Sequence, residues 1–109
     1  GGNNMAVASM QTLVINDEEV NLFYIERLAS ELGRTPQTIR KWEVSGILPK
    51  PIFRDKLGRR LYSLEQIDAI VECAEKSNVR QGYSVANTNF SVRVHKALDE
   101  LNKKYIGGN

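Results

Sequence analysis

Residues 34–63 read RTPQTIRKWEVSGILPKPIFRDKLGRRLYS. This stretch decides the fold because helix signals, breakers and cations follow one another in a telling order. Thr35-Pro36 starts a helix: the threonine hydroxyl can take an orphan backbone N–H, and proline at the first helical position forfeits no hydrogen bond. The helix is expected from Pro36 to Ser45, with Ile39 and Trp42 facing inward and Gly46 closing it. Ile47-Leu48-Pro49-Lys50-Pro51 is barred from helix by its prolines and reads as an extended connector. Ile52-Phe53-Arg54 and Arg60-Leu61-Tyr62 flank a glycine-containing loop at 55–59 and read as a hairpin.

Upstream, Ile25, Leu28, Ala29 and Leu32 recur at i, i+3, i+4 and i+7, one face of a helix that Gly33 ends. Two short helices joined by a turn of about three residues make a helix-turn-helix. Downstream, Ser63-Leu64-Glu65-Gln66 is a capping box. The third helix then carries Leu64, Ile67, Ile70 and Val71 on one face and fades near Asn78. Residues 79–89 (VRQGYSVANTN) are rich in breakers and read as a hinge, with the chain breaking near Gln81-Gly82. Phe90, Val94, Ala97, Leu98, Leu101 and Tyr105 form a helical stripe over 90–106. That stripe fits either packing on the chain's own core or a dimer interface. The interface is the favoured reading, on Phe90, Val94, Leu98, Leu101 and Tyr105. Residues 1–20 are a tail or hold one short strand, MQTLVI, and the domain proper spans 21–78. The expected class is therefore mostly α: a winged helix-turn-helix with a two-stranded wing and an additional C-terminal helix.

Net charge is +2 over 109 residues, and its distribution is uneven. Residues 1–33 sum to −4, residues 34–60 to +6 and residues 61–109 to 0, which restores +2. All the excess positive charge thus lies in the helix and hairpin, which points to a polyanion partner. One cysteine, Cys73, and one histidine, His95, cannot build a zinc site. The cysteine usage fits a reducing cytosol, and a cytoplasmic, nucleoid-associated protein is expected. No apolar run reaches the ~18 residues a membrane helix requires, so no membrane partner is expected. No nucleophile–base pair, carboxylate dyad or phosphate loop stands out, so neither catalysis nor a cofactor is expected.

On the helix over 36–45 the outward stripe is Gln37, Arg40, Lys41 and Val44. An amide and two cations on one face suit the major groove, where glutamine pairs with an adenine edge and arginine with guanine or phosphate. Thr35 and the free N–H groups at the helix start suit a phosphate. Arg54, Lys56, Arg59 and Arg60 surround the hairpin loop and suit the DNA backbone or minor groove. Tyr62 fits packing and a phosphate hydrogen bond equally. Trp42 and Cys73 read as core, His95 as exposed, and Arg27 as a surface pair with Glu26 or Glu31.

Residues 22–72 resemble the winged helix-turn-helix of the MerR family of bacterial regulators. The resemblance rests on Tyr24-Ile25, Thr35-Pro36, Thr38-Ile39-Arg40-Lys41-Trp42-Glu43, Gly46-Ile47-Leu48-Pro49, Arg54 and Gly58-Arg59-Arg60-Leu61-Tyr62-Ser63. It implies double-stranded DNA as the partner, with Arg40 on phosphates and Gln37 and Lys41 near bases or backbone, and Thr38 is a further candidate DNA-binding residue. Arg54, Lys56, Arg59 and Arg60 would belong to the wing. The position of Lys41 is often aromatic in the family, so a stacking surface is lost there. The long dimerisation helix and effector domain of full regulators are not visible, nor is a small-molecule effector site. Small relatives with this wing include excisionases, small terminase subunits and chromosome-anchoring proteins. The implied function is a sequence-specific transcription regulator, a small repressor or phage or plasmid control protein acting as a homodimer. The alternatives are an architectural DNA-binding protein for recombination, packaging or segregation, and a winged-helix module that binds protein.

Overall fold

The computed structural model describes residues 10–79 and 82–106. Along the chain run β1 (Met10–Ile15), β2 (Glu18–Tyr24), α1 (Ile25–Leu32), α2 (Pro36–Val44), β3 (Phe53–Arg54), β4 (Arg60–Ser63), α3 (Leu64–Lys76) and α4 (Phe90–Ile106). The strands form one antiparallel sheet in the order β1-β2-β4-β3. The fold is thus a mixture of helix and sheet, and the mostly helical expectation holds only in part. Gln81, part of the expected break, lies outside the described residues, as does the start of the expected tail.

The largest departure from the sequence reading is at residues 10–24. The short strand MQTLVI forms as β1, but a second strand, β2, pairs with it, so these residues are a hairpin and not a tail. Asn16 and Asp17 both take positive φ, 53° and 68°. Positive φ at both central residues is what a type I′ two-residue hairpin turn requires, and Asn and Asp tolerate it better than most side chains. β2 then passes straight into α1, with Tyr24 as its extended N-cap. The alternation of Val20, Leu22 and Tyr24 is the signal that reveals β2.

The helix boundaries follow local chemistry. Gly33 sits in the left-handed region (φ 66°) and ends α1. Thr35 Oγ1 accepts the Thr38 backbone N–H at 3.2 Å, with Pro36 at the first helical position. In α3 the Ser63 hydroxyl accepts the Gln66 N–H while the Gln66 carboxamide oxygen accepts the Ser63 N–H, a complete capping box.

One core lies between the helices and one face of the sheet. Leu28, Ile39, Ile67, Ile70, Phe90 and Val94 are fully buried in it, with Tyr62 and Phe23 supplied by the sheet. Trp42 meets Phe90 at 5.4 Å between ring centroids, a tilted contact of the kind aromatic rings favour. Strand alternation places Leu22 and Leu61 on the opposite sheet face, where they are also buried. There Tyr105 of α4 packs edge-on against Phe53 at 5.2 Å.

α4 overturns the expected use of its stripe. Phe90, Val94 and Leu98 are inside the chain's own core, so they form no surface for a second copy. Leu101 packs beside that core. The Tyr105 hydroxyl lies 2.9 Å from Ser63 Oγ and 3.0 Å from Glu65 Oε1. The physical reason is size. Three short helices and a narrow hairpin cannot enclose a core unaided, so the fourth helix closes it. The segment expected as a hinge is likewise anchored: Val85 is buried in the same core, and Thr88 Oγ1 donates to the Val85 carbonyl at 2.6 Å.

Candidate nucleic-acid interface

The outward face of α2 is as the helical period requires. Gln37, Arg40, Lys41 and Val44 are all exposed, because Ile39 and Trp42 on the other side are held in the core. Among the described residues neither Arg40 nor Lys41 has an ion-pair partner. At the helix start Thr35 and Thr38 hold each other, their hydroxyl oxygens 3.1 Å apart. Thr35 is therefore already engaged as a cap, and one proton of the pair is left to donate outward.

The cations of the β3–β4 hairpin are not equivalent. Glu43, on α2, is buried and faces this hairpin. Its Oε1 accepts from Arg60 Nε and lies 3.9 Å from an Arg54 guanidinium nitrogen. A buried carboxylate this far inside needs such compensation. Arg54 also donates to the Gly58 carbonyl at 2.8 Å. Glu43 thus fixes the hairpin against the helix, a role the sequence reading did not assign to it.

Asp55 organises the loop in the same way. It accepts the Leu57 and Arg59 backbone N–H groups at 2.9 Å each, and the Arg59 side chain at 2.8 Å. Tyr24 donates to it at 2.9 Å and in turn accepts from Gln11 at 3.0 Å. Gly58, at φ 83°, supplies the left-handed residue that closes the turn. Burial works to raise the Asp55 pKa, yet the hydrogen bonds from the Arg59 backbone, Tyr24, the Arg59 side chain and Leu57 outweigh it and hold the group at about 2. The Asp55 carboxylate and other acidic neighbours push Arg59 upward in turn, against its own desolvation. Arg59 lies 4.9 Å from the Tyr24 ring centroid, close enough for a cation–π contact. The sequence signal for this loop was an aspartate two and four residues before backbone N–H groups, the Asx-turn spacing.

Of the hairpin cations, Arg54, Arg59 and Arg60 are therefore tied to Glu43 or Asp55. Lys56 is exposed at the loop and has no ion pair among the described residues. Tyr62 is corrected outright. It is 4% exposed, and its hydroxyl meets no partner among the described residues. A phosphate cannot reach it. Burial, with a smaller contribution from Glu43, pushes its pKa up to about 12.

Elsewhere, Arg27 pairs with Glu31 at 3.0 Å, as read from spacing. His95 is exposed and its Nε2 is 2.8 Å from the Gly46 carbonyl, so α4 also braces the turn after α2. A groove of about 450 Å³ opens between β1 and the 55–59 loop, lined by Leu13, Leu22, Phe53, Leu57 and Leu61 with Arg54 and Arg59. Among the described residues no group of His, Cys, Asp and Glu side chains gathers as a metal site. No described helix is long and apolar enough to cross a membrane.

A capped helix with a cationic outward face, braced by a basic hairpin, defines a helix-turn-helix protein of the DNA-binding class. The chain belongs to the MerR helix-turn-helix family of regulatory proteins, whose family model matches residues 23–85, more than half of its length. It is thus, in general terms, a DNA-binding transcription regulator. No curated protein and no solved structure gives a significant match. β1, most of β2 and all of α4 lie outside the matched residues.

Proposed function

We propose that this protein is a sequence-specific regulator that binds duplex DNA as a homodimer on paired half-sites, in a bacterial or phage cytoplasm. The observation that carries the reading is the exposed face of α2. Gln37, Arg40 and Lys41 project from a helix whose other side is fixed in the core, and among the described residues neither cation has an ion-pair partner. A helix so presented enters the major groove, Gln37 reading a base edge and Arg40 and Lys41 taking bases or phosphates. Lys56 takes a backbone phosphate beside it. Arg54, Arg59 and Arg60 act mainly by holding the wing in register with α2, through Glu43 and Asp55. One module offers few base contacts, so useful discrimination requires two half-sites.

The test is footprinting on fragments of the source genome near physiological salt, followed by titrations over a salt series. A paired motif overlapping a promoter is the expected result. Arg40→Ala and Lys41→Ala should each lower the salt slope by about 1 and leave thermal stability nearly unchanged. Clustered sites at an attachment, packaging or partition locus would replace the regulator with an architectural DNA-binding protein. No binding at any salt would overturn both and leave a protein-binding winged helix.

A further inference from the structure

Phe90, Val94 and Leu98 of the helical stripe that the sequence offers for dimerisation are inside the core, yet a paired half-site needs a second copy. We propose that two copies join through β1, antiparallel and edge to edge, into one continuous sheet. The inference extends the DNA reading by naming the dimer surface, and rests on that reading only for the use made of the dimer.

Among the described residues β1 is one edge of the sheet. The opposite edge, β3, is protected in a familiar manner: it is two residues long and carries Arg54. β1 has none of these protections. Its six residues, MQTLVI, contain no charge, no proline and no glycine. Met10, Leu13 and Val14 are 41%, 45% and 65% exposed.

The hydrogen-bond phase is settled by the turn. A two-residue hairpin makes Ile15 and Glu18 a bonded pair, and the alternation continues to Leu13–Val20 and Gln11–Leu22. The backbone groups of Met10, Thr12 and Val14 therefore point away from β2, with no strand among the described residues to meet. Two such edges are self-complementary about a two-fold axis through Thr12. Thr12 then faces Thr12 of the second copy, and Met10 faces Val14 in both directions. This register uses every outward group and makes about six backbone hydrogen bonds. The exposed Met10 and Val14 side chains cover one another, and no like charges meet.

Sedimentation equilibrium of the full chain under reducing conditions, without DNA, tests this directly. The wild type is expected to be dimeric at micromolar concentration. Thr12→Pro removes one outward N–H and no β1–β2 bond, so it should weaken dimerisation at least tenfold while the far-UV spectrum is kept. Met10→Lys with Val14→Lys provides a second variant at exposed sites, placing cations opposite each other twice in the dimer. A monomeric wild type, or a dimer that survives the double lysine variant, would overturn the β1 interface. Neither result would bear on whether the monomer binds a single half-site, which a separate titration on half-site DNA decides.

Discussion

Replacing Glu43 with alanine probes how the interface is held together. The Glu43 side chain is 6% exposed, against 21% for Arg60 and 41% for Arg54. Removing one partner of a fully buried pair costs about 3–5 kcal/mol, because the other charge is stranded. Here the stranded charges have an escape. Arg54 is already partly in water and keeps the Gly58 carbonyl, and Arg60 is at the edge of the buried region. Solvent screening lowers the expected loss to about 2–3 kcal/mol. For a domain of this size each kcal/mol moves the thermal midpoint by about 4–8 °C, so the midpoint should fall by roughly 10–20 °C. Glu43→Gln keeps an acceptor and the shape but drops the charge, and should fall between the two. Circular dichroism at 222 nm during heating and in urea measures both. A change under about 0.5 kcal/mol, the range of ordinary surface substitutions, would refute the claim that Glu43 joins α2 to the hairpin. DNA binding gives a second readout. The alanine variant gains one unit of positive charge, so non-specific affinity should hold or rise, while its ratio of specific to non-specific affinity falls as the hairpin loosens.

Four further expectations concern Asp55, Tyr62 and Phe90. Because the Asp55 pKa is lowered to about 2 from an ordinary 3.8, its stabilisation is complete above about pH 4 and is lost as pH falls toward 2; thermal midpoints across that window should drop for the wild type and less steeply for Asp55→Asn. Tyr62→Phe removes a buried hydroxyl that has no partner among the described residues, so it should be neutral or stabilise by about 1 kcal/mol in urea. The raised pKa of Tyr62 means the wild type loses stability between pH 10 and 12, and the phenylalanine variant should lose less. Phe90→Ala, at a fully buried site against Trp42, should cost about 3–5 kcal/mol in the unfolding of the monomer; a stable monomer with only its self-association impaired would restore α4 as the interface.

How much of this was legible depended on the range of each signal. Thr35-Pro36, Gly33 and the Ser63–Gln66 box act within a single turn of helix, so the ends of α1, α2 and the start of α3 could be placed from sequence within a residue. The outward face of α2 was legible too, because a helical period is a local property once Ile39 and Trp42 are assigned inward. Of the N-terminal hairpin only the strand MQTLVI was legible, and β2 was missed because Asn16-Asp17 is a weaker turn signal than Asn-Gly.

By itself, then, the sequence determined the helix-turn-helix, the basic hairpin after it, and hence the family and its general DNA-binding role. Local capping, breakers and periodicity suffice for those. Tertiary structure alone decided which charges were left over. Glu43 reaches Arg60 across seventeen residues, and no periodicity foretells such a pairing. It also decided which apolar stripe closed the core and which edge stayed open. An amphipathic helix shows only that one face must be covered. Whether its own chain or a second copy covers it depends on the volume the other elements leave unfilled. Here that volume was taken by Phe90, Val94 and Leu98, and β1 was left at the edge of the sheet.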